Sequence, residues 1–256
     1  MINMRRGYMV LFIVLNLIIT NSLFGGEKIK IVTGEWPPYV SKNMANNGII
    51  GEIVKESFKE EGVDVEFVYM PWKRGEIEVK KGNYFGTFPY VETEERKEEF
   101  EFSNSIFTSK GKFFYLKNSS VNNKWNSFED LKKYKIGGTL GYWYSEIFKE
   151  KGLNVDYVAS DEQNFMKLYS KRVDIVPTDE LVGKYIIDKL YSNEKEKFEI
   201  MDGELNRGEL KMMVSKNYSG YKSILNRFNE GLDKIKINGK YKTIIEKYQI
   251  KLENKE

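Results

Sequence analysis

Gly86-Thr87-Phe88-Pro89-Tyr90-Val91-Glu92-Thr93-Glu94-Glu95-Arg96-Lys97-Glu98-Glu99-Phe100-Glu101-Phe102-Ser103 runs from an apolar strand straight into a charged turn. Thr93 is placed to cap a helix with its hydroxyl, and Glu94 and Glu95 suit the positive first turn. Arg96 then projects beside free backbone N–H groups, an arrangement that fits a carboxylate. An isolated arginine among so many glutamates has a plainer alternative, an exposed ion pair contributing about 0–1 kcal/mol. The surrounding chain decides between the two.

Upstream, Lys28 to Thr33 reads as a short strand interrupted by the turn Trp36-Pro37-Pro38-Tyr39. Ile49 to Glu60 then carries helical spacing and stops at Gly62. Val63 to Met70 reads as a second strand, Trp72 to Lys81 as a helix closed by Gly82, and Phe85 to Phe88 as the strand before the arginine turn. Strands alternating with helices imply a parallel sheet. Beyond a strand at Lys112 to Leu116 and a polar loop from Asn118 to Asn126, Ser127-Phe128-Glu129-Asp130 gives a helix-start signature, and the rhythm begins again.

The second unit has a strand at Lys135 to Gly137, a turn through Gly138 to Gly141, and a helix near Tyr144 to Lys151. A strand at Asn154 to Val158, the Ser160-x-x-Gln163 capping pattern and a strand at Val173 to Pro177 follow. A helix over Glu180 to Leu190 leads to a strand at Glu209 to Val214. Two amphipathic helices, Tyr221 to Lys236 and Lys240 to Tyr248, end the chain. In two such units facing a common cleft, binding groups sit at strand C-termini and helix N-termini. Trp36 to Tyr39, Trp72 to Arg74, Pro89 to Arg96, Gly141 to Tyr144 and Thr178-Asp179 fall at such ends.

Arg5 and Arg6 precede an apolar run from Tyr8 to Ile19 and then small and polar residues, the pattern of an export signal over 1–25. Cleavage after Ser22 or after Gly25 fits, and an uncleaved anchor is the alternative. The chain has no cysteine, hence no disulfide framework and no thiol for a lipid anchor, so a free protein in a periplasm is expected. Removing the signal lowers Lys+Arg from 41 to 39 against 38 acids; with no long basic block, nucleic acid is not an expected partner. With no histidine, Ser-His and Cys-His nucleophiles and the common zinc sites are excluded, and no cofactor or metal is expected. Roughly 230 residues remain, enough for one large domain or for two lobes of about 100 residues each.

Several features recur in a fixed order. They are the aromatic Pro-Pro turn, the Gly-led first helix, Thr93-x-x-Arg96 followed by Phe102-Ser103, and Ser127-x-x-Asp130-Leu131. Arg172-Val173-Asp174-Ile175-Val176 with a later Asp179, Phe228-Asn229, and Asn238-Gly239-x-Tyr241-x-x-Ile244 complete the series. Across nearly all of the mature chain this order resembles the amino-acid-binding proteins of ABC importers, the family 3 extracellular solute-binding proteins with the type II periplasmic binding fold.

The resemblance implies an α/β fold of two lobes, each a mostly parallel sheet flanked by helices, joined by two crossover strands acting as a hinge. Lobe one would take 27–114 and the C-terminal return 209–256, and lobe two 115–208, with hinge strands near Lys112 to Leu116 and Glu209 to Val214. It also implies that Arg96 grips a ligand carboxylate and that Asp179 accepts an α-ammonium across the cleft. Trp36, Tyr39 and Trp72 stand where the family places aromatic walls, although hydrophobic core is the commoner role of any one aromatic. Arg74, Gly141 and Tyr142 complete the candidate set. The implied partners are a small ligand, an amino acid or another carboxylate, and an ABC transporter permease, with the protein acting as a monomer.

The chain also departs from the family pattern. Pro89 has no N–H to offer a carboxylate, Val91 replaces a hydroxyl residue, Tyr142-Trp143 stand where small hydroxyl residues are usual, and Phe85 replaces an aspartate. A more aromatic cleft follows, with a different carboxylate or a flat or glycan-like ligand left open. Three functions compete: solute capture by hinge closure, a dehydratase-type enzyme on the same scaffold using Glu35, Asp179 or Glu180 as a general acid, and a ligand-sensing partner of a membrane receptor.

Overall fold

The computed structural model describes residues 28–253. The expected export segment lies outside them, and among the described residues no helix is long and apolar enough to cross a membrane.

In the first lobe, β1 (Ile29–Thr33) lies between β2 (Val65–Tyr69) and β3 (Gly86–Val91) and is parallel to both. Helices α1 (Ile49–Glu60) and α2 (Trp72–Lys80) make the crossovers. In the second lobe, β6 (Ile136–Thr139) lies parallel between β7 (Val155–Val158) and β8 (Ile175–Asp179). The helices α4 (Ser145–Glu150) and α5 (Asp161–Tyr169) connect these strands. The strand–helix alternation read from the sequence is therefore the architecture, and it ends in α6 (Glu180–Leu190), α7 (Tyr221–Ile237) and α8 (Lys240–Glu253).

Two long strands, β5 (Phe107–Leu116) and β10 (Asn206–Ser215), join the lobes. Their first halves pair with each other, Phe107 with Leu210 through Gly111 with Asn206. The second half of β5 is antiparallel to β8, and the second half of β10 is antiparallel to β3. Most of the segments expected as hinge, Lys112 to Leu116 and Glu209 to Val214, are thus bonded into the lobe sheets. The ribbon shared between lobes is Phe107–Gly111 with Asn206–Leu210, half a strand away.

Aromatic side chains fill both cores. Phe58 on α1 meets Phe228 on α7 at 5.0 Å between ring centroids, and Phe85 packs edge-on against Phe58 and Tyr218. Phe85, at the family's aspartate position, is accordingly a fully buried core residue. In lobe two, Tyr144 stacks on Phe148, which also stacks with Phe113.

Shorter elements complete the fold, the Thr93-capped helix expected and the two short strands not. α3 (Glu94–Glu99) extends the arginine turn by only six residues, and β4 (Phe100–Phe102) and β9 (Phe198–Ile200) span three residues each. Ser127-Phe128-Glu129-Asp130 opens a short 3-10 turn rather than an α-helix. There the Asp130 carboxylate accepts from the backbone N–H groups of Asn126 and Ser127.

Candidate functional site

β1 ends at a close approach. A Cβ at Gly34 would stand 2.3 Å from the Trp72 indole, so only glycine lets that indole lie against the strand end. The Trp36 turn closes through Trp36 N–H to the Val40 carbonyl at 2.8 Å and is then docked onto α1. Ile49 and Ile50, whose N–H groups have no partner inside the helix, donate to the carbonyls of Pro38 and Tyr39 at 3.1 and 2.8 Å. This contact needs Gly48, which has φ +86°; a Cβ there would sit 2.8 Å from both oxygens. Trp36 and Trp72 are thereby fixed on the lobe-one wall of a cleft of about 970 Å³.

Arg96 lines the same wall. Its guanidinium carbon stands 4.8 Å over the Tyr90 ring and its Nη1 donates to the Val91 carbonyl at 2.8 Å. Thr93 caps α3 as the sequence suggests, its hydroxyl accepting from the Arg96 N–H at 3.3 Å. The exposed ion pair does not form, and lysines take two of the neighbouring acids. Glu92 pairs with Lys97 and Lys211 and Glu94 pairs with Lys97, and among the described residues Arg96 has no carboxylate partner. The Tyr90 hydroxyl is pushed up to about 12, chiefly by desolvation and then by the charge of Glu76, with Arg96 opposing. Tyr90 therefore serves Arg96 as a neutral ring, a support that sequence reading passed over although its place in β3 before the arginine turn signals it.

The facing wall holds Gly141, Tyr142, Trp143 and Asp179. Its hydroxyls turn away from the cleft toward Asp161, which is 8% exposed and accepts from Thr139 at 2.5 Å, Tyr142 at 2.7 Å and Thr178 at 3.0 Å. No local spacing signals this inward triad. It leaves lobe two presenting rings rather than small donors, with Trp143 half exposed at the rim.

Asp179 ends β8 and caps α6. Its Oδ1 accepts from the N–H groups of Leu181 (2.9 Å) and Val182 (3.2 Å) and from the Tyr39 hydroxyl (2.7 Å), and its Oδ2 from the Lys110 N–H (3.1 Å). Desolvation nonetheless holds its carboxyl above the ordinary value, outweighing the lowering by these four bonds.

Two candidates lie elsewhere. Tyr39 is 1% exposed and does not line the cleft; packed on Trp36 and edge-on to Phe107, it touches the site through its hydroxyl alone, which corrects its assignment to the wall. Arg74 is exposed and also outside the cleft lining, one helical step past Trp72 and Lys73 on α2. Of the acids weighed for catalysis, Glu35 and Glu180 are not in the lining either. Among the described residues no group of carboxylates is arranged to hold a metal ion.

Two α/β lobes, a double-strand connection and an aromatic cleft with a free guanidinium on one wall and a carboxylate on the other define a two-lobe small-molecule-binding protein. The family model of the bacterial extracellular solute-binding proteins, family 3, matches residues 29–251, and the chain belongs to that family. It is 24% identical over 221 residues to a probable histidine-binding protein of Campylobacter jejuni, covering 77% of this chain and 79% of that relative. An ancestral arginine-binding protein bound to arginine superposes with a TM-score of 0.67 at 28% identity, over 86% of this chain and 97% of that one. The second substrate-binding domain of a putative amino acid ABC transporter from Streptococcus pneumoniae gives 0.66 at 25% identity, over 87% and 99%.

Proposed function

We propose that the protein captures a free amino acid in the periplasm as a monomer and delivers it to an ABC transporter permease without transforming it. The observation that carries this reading is Arg96, supported by Tyr90, held by Val91 and left without a carboxylate partner on a cleft wall. An unpaired guanidinium with donors to spare is suited to a bidentate carboxylate. Asp179, in the facing lobe, takes the α-ammonium, and Trp36, Trp72 and Tyr142 cover the side chain, with Gly141 setting the turn that presents Tyr142. Closure bends the ribbon of Phe107–Gly111 and Asn206–Leu210 and excludes water from both charge contacts.

Native mass spectrometry of protein purified without denaturation tests the reading. A bound amino acid supports it, and a copurified solute without an amine removes Asp179 from the ligand contacts. One observation favours a second reading: the raised pKa of Asp179 also suits a general acid. Turnover of a prephenate-like substrate by the purified protein would replace capture with dehydratase chemistry.

A further inference from the structure

Tyr39 and Asp179 are 140 residues apart in sequence and belong to different lobes, yet the buried Tyr39 hydroxyl donates at 2.7 Å to the Asp179 carboxylate that lines the cleft. The phenol is fixed from every side. Its ring is 4.6 Å from Trp36 and 5.3 Å from Phe107, and its carbonyl accepts from Ile50 at 2.8 Å. Its own ionisation is pushed far up, first by burial and then by the Asp179 charge, so the hydroxyl stays a donor across the working range of pH.

We propose that Tyr39 is a positioning residue for amine recognition: its hydroxyl, reaching across from lobe one, orients the Asp179 carboxylate and keeps it ionised, so that the cleft selects ligands carrying an ammonium. This rests on the reading that Asp179 meets the ligand amine. The other contacts of Asp179 are backbone N–H groups, two from α6 and one from Lys110 on β5, so among the described residues Tyr39 gives its only side-chain hydrogen bond. The remaining charged and titratable neighbours have other engagements or a different reach. Glu180 pairs with Lys184, Tyr142 donates to Asp161, Asp161 is filled by three hydroxyls, and Lys110 contributes its backbone. Removing the phenol donor therefore leaves the carboxylate less stabilised in its charged form, and protonation disables it toward a cation.

The experiment has two arms. In the unliganded protein, the 13Cγ resonance of Asp179 is titrated in native, Tyr39→Phe and Tyr39→3-fluorotyrosine proteins. Tyr39→Phe should move the midpoint up, and the stronger donor 3-fluorotyrosine should move it down, which keeps the test available should either variant fold poorly. In the second arm, calorimetry across pH compares L-histidine and L-arginine with their des-amino analogues, imidazole-4-propanoate and 5-guanidinopentanoate. Tyr39→Phe should weaken the amino acids on acidification by about tenfold for each unit the midpoint has moved, and leave the des-amino acids unchanged. An unmoved midpoint, or equal weakening of both ligand kinds, overturns the proposal, since a merely structural tyrosine would act on both alike. If the native protein binds the des-amino acids as tightly as the amino acids while the midpoint moves as stated, the reading of Asp179 as the amine contact fails and the selectivity role of Tyr39 falls with it.

Discussion

If the proposed reading holds, affinity turns on Arg96. Truncating one partner of a shielded charge pair costs about 2–5 kcal/mol, against about 8 kcal/mol for micromolar binding. Arg96→Ala should bring calorimetric affinity to near the detection limit while leaving the thermal melt close to native. Arg96→Lys keeps the charge but loses the fork and the stack on Tyr90, and should recover only part of the affinity. Asp179 predicts a pH dependence. Its carboxyl titrates above the ordinary value, so affinity for an amine-bearing ligand is full above that raised midpoint and falls as pH is lowered through it. An affinity flat through mildly acidic pH would remove Asp179 from the ligand. Arg96, the Thr93 cap and the aromatic turn were legible in the sequence because each rests on local spacing. Tyr39's burial and the three hydroxyls gathered on Asp161 were not, because both depend on which strands lie side by side.

At the scale of elements, the alternation of strands and helices was readable from periodicity, but β5 starts five residues before the expected strand, β10 three before, and α8 runs five residues past its expected end. β4 and β9 were missed because three residues cannot show an alternation, and the extent of the β5–β10 pairing was not readable because register is not written in either strand alone. The seam between α1 and α7 predicts a separation of stability from function. Phe58→Ala empties a fully buried position against Phe228 and Phe85 and should cost about 3–5 kcal/mol in urea unfolding, with ligand affinity of the folded fraction unchanged. α8 is tied to α1 where Lys247 and Tyr248 bond Glu52. Desolvation pushes the Glu52 carboxyl up, but bonds from Lys247, Asn46 and Tyr248 overcome it and hold the group below its ordinary 4.5. A depressed carboxyl contributes stability above its unfolded pKa and loses it as pH falls through the folded one. The native melt should therefore drop more steeply on acidification than that of Glu52→Gln.

For the whole molecule, two lobes joined by one paired ribbon allow a rigid-body closure whose energy comes from the ligand bridging the walls. Solution scattering should show a smaller radius of gyration when a bound amino acid is added and none of that change in Arg96→Ala. The central claim, that the Arg96 guanidinium neutralises the ligand's carboxylate across this cleft, is tested most directly by a thermodynamic cycle. Affinities of native and Arg96→Ala protein are measured for the amino acid that copurifies with the native protein and for its amide, which lacks the carboxylate. The native protein should prefer the acid by about 2 kcal/mol or more, roughly thirtyfold, and Arg96→Ala should bind acid and amide alike. A native protein indifferent to the carboxylate, or an Arg96→Ala protein that keeps the full preference, would contradict the account.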